Sequence, residues 1–342
     1  MNQSSTSIPV RSRAAGGRTL LSSARVLLVI SLATGACSEA AQVDSETTEA
    51  SPARATGGFP RTVFLPDGNQ VDILTEPQRV IPANANALDF VLALIEPERV
   101  AAISKVSLPY SLAGKALGEW PEEKTFGQFT VEEIVSRKPD LVVVHDWQAA
   151  QTVAIIQEAG IPVLVIPSVV ALEDNFESLT LLGRALGAES KAAETIAELK
   201  LRIARLKERG AKLNASVMSY TNMGTGGTCA GSGTSFDVMT EIAGLSNLAS
   251  KQGLVGFENI DNEWLLSIDP DWIVVGESAE LTGTSTAEQY LLETHSLAGL
   301  KAVQSKQIIR LQSDFFFTSS HHLVDAAERL LDELDRKQEI AD

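Results

Sequence analysis

Two similar α/β lobes with mostly parallel sheets, joined by one long rigid helix, are the fold class this chain predicts. Three observations predict it. One block is written twice: Phe126-x5-Glu132-x6-Pro139-Asp140 runs into Leu141-Val142-Val143-Val144, and Phe257-x5-Glu263-x6-Pro270-Asp271 runs into Trp272-Ile273-Val274-Val275. On both sides, apolar runs alternate with stretches of helical periodicity, the mark of a parallel sheet. Between the halves, residues 175–209 place Phe176, Leu179, Leu182, Leu186, Ile196, Leu199, Ile203 and Leu206 at helical spacing without a proline. Two lobes built to one plan enclose a cleft, and matched features on its two sides point to a molecule held there.

The elements follow in order. Residues 1–36 carry Arg11, Arg13, Arg18 and Arg25 with no acid, then the apolar run 26–33 and small residues before Cys37. That run is too short for a bilayer, which takes roughly 20 residues, and suits the core of an export signal. Residues 37–58 are small and polar, a flexible tether. The first lobe, 59–170, is expected to hold strands at 79–83, 100–104, 141–145 and 163–167. Its helices are expected at 87–94, 131–137 and 149–159, the last closed by Gly160. The long helix occupies 171–210, with a bend near Gly187. In the second lobe, 211–342, strands are expected at 216–221, 272–276 and 308–311. Helices are expected at 236–243, 262–267, 287–293 and 322–334.

With 342 residues, 44% apolar and 21% charged, the chain can bury two cores. The formal charge is −16, and falls to near −20 once the four arginines of the leader are removed. Nucleic acid is excluded as a partner on that charge, as is a bulk electrostatic hold on anionic lipid. The only cysteines are Cys37 and Cys229. If Cys37 is acylated, no disulfide can form.

Several residue sets could carry function. Thr130 followed by Glu133 reads as a capping box, placing Glu132 in the first turn of a short helix, and Asp261 does the same for Glu263. Acids there are favoured by the helix dipole by roughly 0.3–1 kcal/mol. The dipole does not account for identical offsets from an aromatic and a Pro-Asp, so the pair also reads as docking points for a partner. Phe126 and Phe257 are placed in loops before those helices. His145 and Trp147 follow one strand, and Asp314, Phe315 and Phe316 follow another, where open α/β sheets bind ligands. Converging aromatics there make a flat, greasy site. His145, His295, His321 and His322 do not form a metal-ligand set, and the last two read as surface or capping residues. The glycine-rich run 224–233 lacks a P-loop lysine and reads as a pliable ligand loop. Cys229 has no nameable base, so no enzyme mechanism is assigned.

Taken together, these segments resemble the periplasmic substrate-binding proteins of ABC importers for iron–siderophore, haem and cobalamin. The resemblance covers 59–340. It rests on Arg79-Val80-Ile81-Pro82, Thr130-Val131-Glu132-Glu133-Ile134-Val135, Lys138-Pro139-Asp140-Leu141-Val142, Glu263-Trp264-Leu265-Leu266, Asp269-Pro270-Asp271 and Leu311-Gln312-Ser313-Asp314-Phe315-Phe316. The resemblance implies two Rossmann-like lobes on a rigid helix, with little closure on binding. It also implies that Glu132 and Glu263 dock a permease dimer served by an ATPase, and that aromatics at Phe126, Phe257 and Phe315 touch ligand. Thr34-Gly35-Ala36-Cys37 is similar to a bacterial lipobox, although Thr34 stands where leucine is preferred. Lipid on Cys37 would tether a monomer to the outer, periplasmic face of the membrane; ordinary cleavage near Ala36 or Ala41 is the alternative.

The ligand follows from charge. Catecholate and citrate complexes of iron are multiply anionic and call for arginines, whereas the expected cleft loops hold one clear cation, Lys105. Asn84, Tyr110, Trp147 and Asn222 fit a near-neutral metal chelate. A hydroxamate siderophore is expected first, with a corrinoid or haem as the alternative and no resident cofactor.

Overall fold

The computed structural model describes residues 58–222, 227–277 and 286–341. The export signal, Cys37 and nearly all of the tether lie outside them, as does the stretch 223–226 of the glycine-rich run. Among the described residues, no helix is long and apolar enough to cross a membrane.

In the first lobe, Val80–Pro82, Leu141–His145 and Val163–Ile166 form a parallel sheet in that order, with Val80 opposite Leu141 and Val142 opposite Val163. Leu141–His145 is buried at every position, as expected of a central strand covered on both faces. A bridge from Val80 to Val100 leads to the short parallel pair Ile103–Ser104 and Thr125–Phe126. The second lobe repeats the plan with four parallel strands, ordered Ser246–Asn247, Ser216–Ser219, Trp272–Glu277 and Ile308–Gln312.

The written repeat is a structural repeat. Thr130 and Asp261 both cap their helices through the side chain, accepting from Glu133 N (3.3 Å) and Trp264 N (2.7 Å). Ile134 and Leu265, at matching positions, are both fully buried. Each helix then leaves through a left-handed residue just before its proline, Lys138 at φ 49° and Asp269 at φ 46°. The following acids tie down the strands: Asp140 accepts from Gln78 N and Arg79 N (2.7 and 2.8 Å), and Asp271 from Ser216 Oγ (2.7 Å). Only half of the expected capping box forms, because the Glu133 carboxylate turns to Arg137 (3.2 Å).

Four readings are corrected here. The residues around Gly187 do not bend one helix; they separate two, Leu172–Leu186 and Glu189–Leu213, because Gly187 takes the left-handed conformation at φ 73°. The described part of the glycine-rich run is not a free loop, since Gly227–Ala230 is a strand paired on one side with Phe257–Ile260 and on the other with Thr221–Asn222, both antiparallel. Phe257 therefore sits on a strand rather than in a loop. The aromatic run after Gln312 is likewise a helical turn, Ser313–Phe316. A hairpin of Arg61–Phe64 and Gln70–Ile73 precedes the first sheet and was not expected.

The 25-residue helix Glu189–Leu213 is the rigid spine. Leu199, Ile203 and Leu206 are buried in a hydrophobic cluster that runs without a break from Val80 and Leu164 of the first lobe to Ile309 and Leu330 of the second. On its polar side, Arg202 meets Asp325 and Glu328 (2.7 Å each), and Arg209 meets Asp332 (2.8 Å) and Asp335 (2.5 Å), all on the last helix, Leu323–Ala341. Such half-exposed pairs contribute at most about 1 kcal/mol each, so they set register more than stability. The closest approach is at Gly210, where an added Cβ would lie 1.7 Å from the Ala243 carbonyl oxygen. Backbone cannot yield there as a side chain would. Gly210→Ala is expected to destabilise by about 2 kcal/mol or more despite alanine's better helix propensity. A urea titration checks this, and an unchanged midpoint would show that the helices do not pack so closely.

Candidate ligand-binding site

The main cavity, about 520 Å³, opens at the carboxyl ends of the strands in both lobes. The first lobe contributes Ser168, Val169 and Val170, the segment that follows Val163–Ile166. The second contributes Ser219 and Thr221, the strand residues Thr228, Cys229 and Ala230, and the start of the helix Ser235–Ile242. Phe257, Phe316, Phe317 and Ser319 complete it. This volume is within the usual range for a small-molecule site.

Among the described residues, no formally charged side chain lines the cavity. The one ionisable group among its described lining residues is Cys229, whose thiol is pushed up to about 11, first by burial and then by the nearby Glu258 carboxylate. A thiol so held is protonated at neutral pH and is a poor nucleophile. Seven hydroxyls of the described residues face the cavity, but several already serve the protein: Ser219 Oγ accepts from Ala230 N (2.8 Å), Thr234 Oγ1 donates to Gly231 O (2.8 Å), and Thr228 Oγ1 donates to Asn259 Oδ1 (3.1 Å). Ser168 donates to the Asp146 carboxylate, which anchors the first-lobe wall beside Trp147. The cavity is an uncharged mixture of phenylalanine faces, methyl groups and hydroxyls.

The expected site residues fall into three groups. Phe257 and Phe316 line the cavity, and Tyr110 meets Phe317 edge-on with centroids 6.5 Å apart. Asn84, His145 and Trp147 form a first-lobe cluster: Asn84 Nδ2 lies 3.1 Å from His145 Nδ1, and the His145 ring stacks on Trp147 at 5.8 Å. Trp147 is 61% exposed, whereas His145 is buried, and burial lowers its imidazole to about 4. Asn84 can only donate through that nitrogen, so the neutral ring accepts at Nδ1 and carries its proton on Nε2.

The rest lie elsewhere. Phe126 is not at the cleft: it is 3% exposed in the first-lobe core, with the Arg137 guanidinium 5.4 Å over its ring, whereas its counterpart Phe257 is 73% exposed. The arginine above it seals Phe126 in, and the second lobe has Ile268 at that position. Phe315 packs against the main core instead of the cavity. Asp314 is buried and paired with Lys115 of the first lobe. Lys105 is exposed and turns to Glu122 (3.7 Å). Asn222 lies beside the Tyr220 hydroxyl (3.5 Å). His321 is partly buried; its ring packs between Phe90 (5.6 Å) and His322 (4.2 Å), and desolvation of the imidazole lowers it to about 3. Among the described residues, no group of three or more His, Cys, Asp or Glu is placed to hold a metal ion. Glu132 and Glu263 are both exposed in the first turns of their helices.

Two parallel-sheet lobes on a rigid spine, with a cavity at their strand ends, are the architecture of a two-lobed solute-binding protein. The comparisons with known proteins agree. The chain belongs to the periplasmic binding protein family, whose family model matches residues 80–315. It is 28% identical over 235 residues to a cobalamin-binding protein of Halobacterium salinarum, a match covering 67% of this chain and 62% of that relative, so the chain spans about three fifths of its length. It is 21% identical over 318 residues to the uncharacterized ABC transporter substrate-binding lipoprotein YvrC of Bacillus subtilis, covering 91% of this chain and 95% of that one. Among solved structures, an ABC-type Fe3+-hydroxamate transport system protein of Saccharomonospora viridis superposes with a TM-score of 0.64 at 22% identity, covering 81% of this chain and 99% of that one.

Proposed function

We propose that the protein is the substrate-binding component of an ABC importer and that it carries a near-neutral metal chelate, a ferric hydroxamate siderophore in the first place. The observation that carries this reading is the uncharged cavity of phenylalanines and hydroxyls. A multiply anionic catecholate complex would surrender its hydration there with no cation among the described lining residues to replace it. The propionates of haem meet the same difficulty. A neutral hydroxamate chelate offers an apolar envelope to Phe257, Phe316 and Phe317 and carbonyl oxygens to the hydroxyls. A corrinoid is the second reading, favoured by the cobalamin-binding relative. Delivery falls to Glu132 and Glu263, one on each lobe, as contacts for the two halves of a permease. Lipid on Cys37 would hold the monomer at the membrane's outer face.

The test is tryptophan fluorescence, corrected for chelate absorbance, with Trp147 as the exposed reporter near the first-lobe wall. A ferric trihydroxamate, a corrinoid, haemin and a ferric tris-catecholate form the panel. Saturable quenching by one of the first two is expected. Tight binding of the tris-catecholate alone would overturn the neutral-chelate assignment.

A further inference from the structure

One short segment of the second lobe has two jobs. Residues 314–320 follow the strand Ile308–Gln312, and Phe316, Phe317 and Ser319 of this segment wall the main cavity. At both ends of the segment, and at the wall residue Ser319 itself, it is fastened to the first lobe. Lys115 Nζ pairs with the Asp314 carboxylate. Ser319 N donates to Asn86 Oδ1 (2.9 Å), and Ser320 Oγ donates to Asp89 Oδ2 (3.3 Å).

These fastenings are costly to undo. The Asp314 side chain is 4% exposed and its cation belongs to the other lobe, so parting the lobes would leave a buried carboxylate without its countercharge. Asp89 is fully buried and is satisfied partly within its own lobe, by Ser111 Oγ (2.5 Å) and Ala113 N (3.0 Å), and partly by Ser320 across the boundary. Behind it, His322 pairs with Asp325 (2.5 Å), which is held by Arg202 of the spine (2.7 Å). The segment is therefore tied to both lobes and, through this relay, to the spine.

We infer that residues 314–320 are a strap in which Lys115, Asn86 and Asp89 act as positioning residues, fixing the separation of the lobes through the residues that wall the cavity. Every wall residue of the strap lies within two positions of an interlobe fastening, so a molecule pressing on Phe316 or Phe317 loads those bonds directly. The spacing between Glu132 and Glu263 is then set by the strap. This last step, the link to delivery, rests on the proposed function; the strap itself does not.

The experiment places spin labels at Glu132→Cys and Glu263→Cys in a Cys37→Ser chain, Cys229 being buried and protonated. Interlabel distances are measured without ligand in the otherwise native protein, in Lys115→Met, which keeps the aliphatic stem, and in Asn86→Ala. A single narrow distribution in the native protein, shifted or broadened by several ångström in Lys115→Met and in Asn86→Ala but kept native-like in Lys115→Arg, is the expected result. Melting curves identify any variant that has lost its fold, and Asp314→Asn replaces it. Native-like distributions in all folded variants would overturn the strap. Because these measurements need no chelate, they decide the strap even if every member of the fluorescence panel fails to bind and the transport reading falls.

Discussion

Reversing charge at both Glu132 and Glu263 is expected to abolish uptake while leaving chelate affinity within about twofold of native, well under the 1.4 kcal/mol of a tenfold change. Both side chains are exposed, and neither lines the cavity. Their helices are short and capped by Thr130 and Asp261, so the folded lobes can accept arginine at those positions. Under the proposed docking role, what arginine removes is complementarity to a positively charged partner surface. Breaking one close charge pair at an interface costs about 2–5 kcal/mol, and reversal adds like-charge repulsion. Two such changes, one on each half of the partner, should reduce productive docking by several orders of magnitude. Transport of labelled chelate into cells, set beside fluorescence titration of the purified variant, checks the split. Normal uptake by the double variant would remove the docking role.

Acid should weaken the fold strongly, and mainly between pH 6.5 and 4. His145 is held neutral by burial down to about 4, and His321 down to about 3, against an unfolded value near 6.5. Below pH 6.5 the unfolded chain takes up protons that the folded chain refuses, so stability is present above that value and lost as pH falls. For His145 alone the loss by pH 4 is on the order of 3 kcal/mol. Asp325 acts lower down. Burial opposes its charge, but the hydrogen bonds from His322 and Arg202 prevail and hold its carboxyl at about 2, so its contribution is present above the ordinary carboxylate range and fades toward pH 2. Asp89 opposes the trend, because burial raises its carboxyl above the usual value despite help from His322, Ser111, Ala113 and Ser320. It favours the folded state where it is protonated, and two histidines outweigh it. Urea midpoints measured across pH 4 to 7.5 should fall steeply toward acid in the native protein. The fall should be shallower in His321→Leu, which removes a partly buried ring whose Nδ1 is enclosed without a hydrogen-bond partner among the described residues. Equal slopes in both proteins would sink the assignment.

The architecture was legible where local chemistry is decisive. Four apolar residues between Asp140 and Asp146 mark the strand Leu141–His145 to the residue, and Thr130 and Asp261 announce their helices by capping chemistry. The hairpin at the start was missed although Pro66-Asp67-Gly68-Asn69 is a turn signal between two alternating runs; Gly68 at φ 86° and the bond from Asn69 N to Asp67 Oδ1 (2.9 Å) show that it is one. The strand Gly227–Ala230 is not readable, because its longer pairing is with Phe257–Ile260, about 30 residues further on, and the glycine-rich run it belongs to argues against a strand. Gly227 is there because a Cβ would lie 2.4 Å from the Tyr220 ring. The site was harder still. Phe126 and Phe257 occupy one motif, yet Arg137 packs over the first, which is core, while the second is left exposed as wall. The hydroxyls of the cavity carry no pattern, since serine and threonine are common everywhere and converge only after folding.

The hydrophobic cluster that passes unbroken from the first lobe through the spine to the second has a consequence for engineering. A chimaera that exchanges one whole lobe for that of a relative would cut this cluster in two places and would have to rebuild both seams. Selectivity is better retuned by replacing individual cavity residues such as Val170, Ser235 or Phe317, which leave the shared interior untouched.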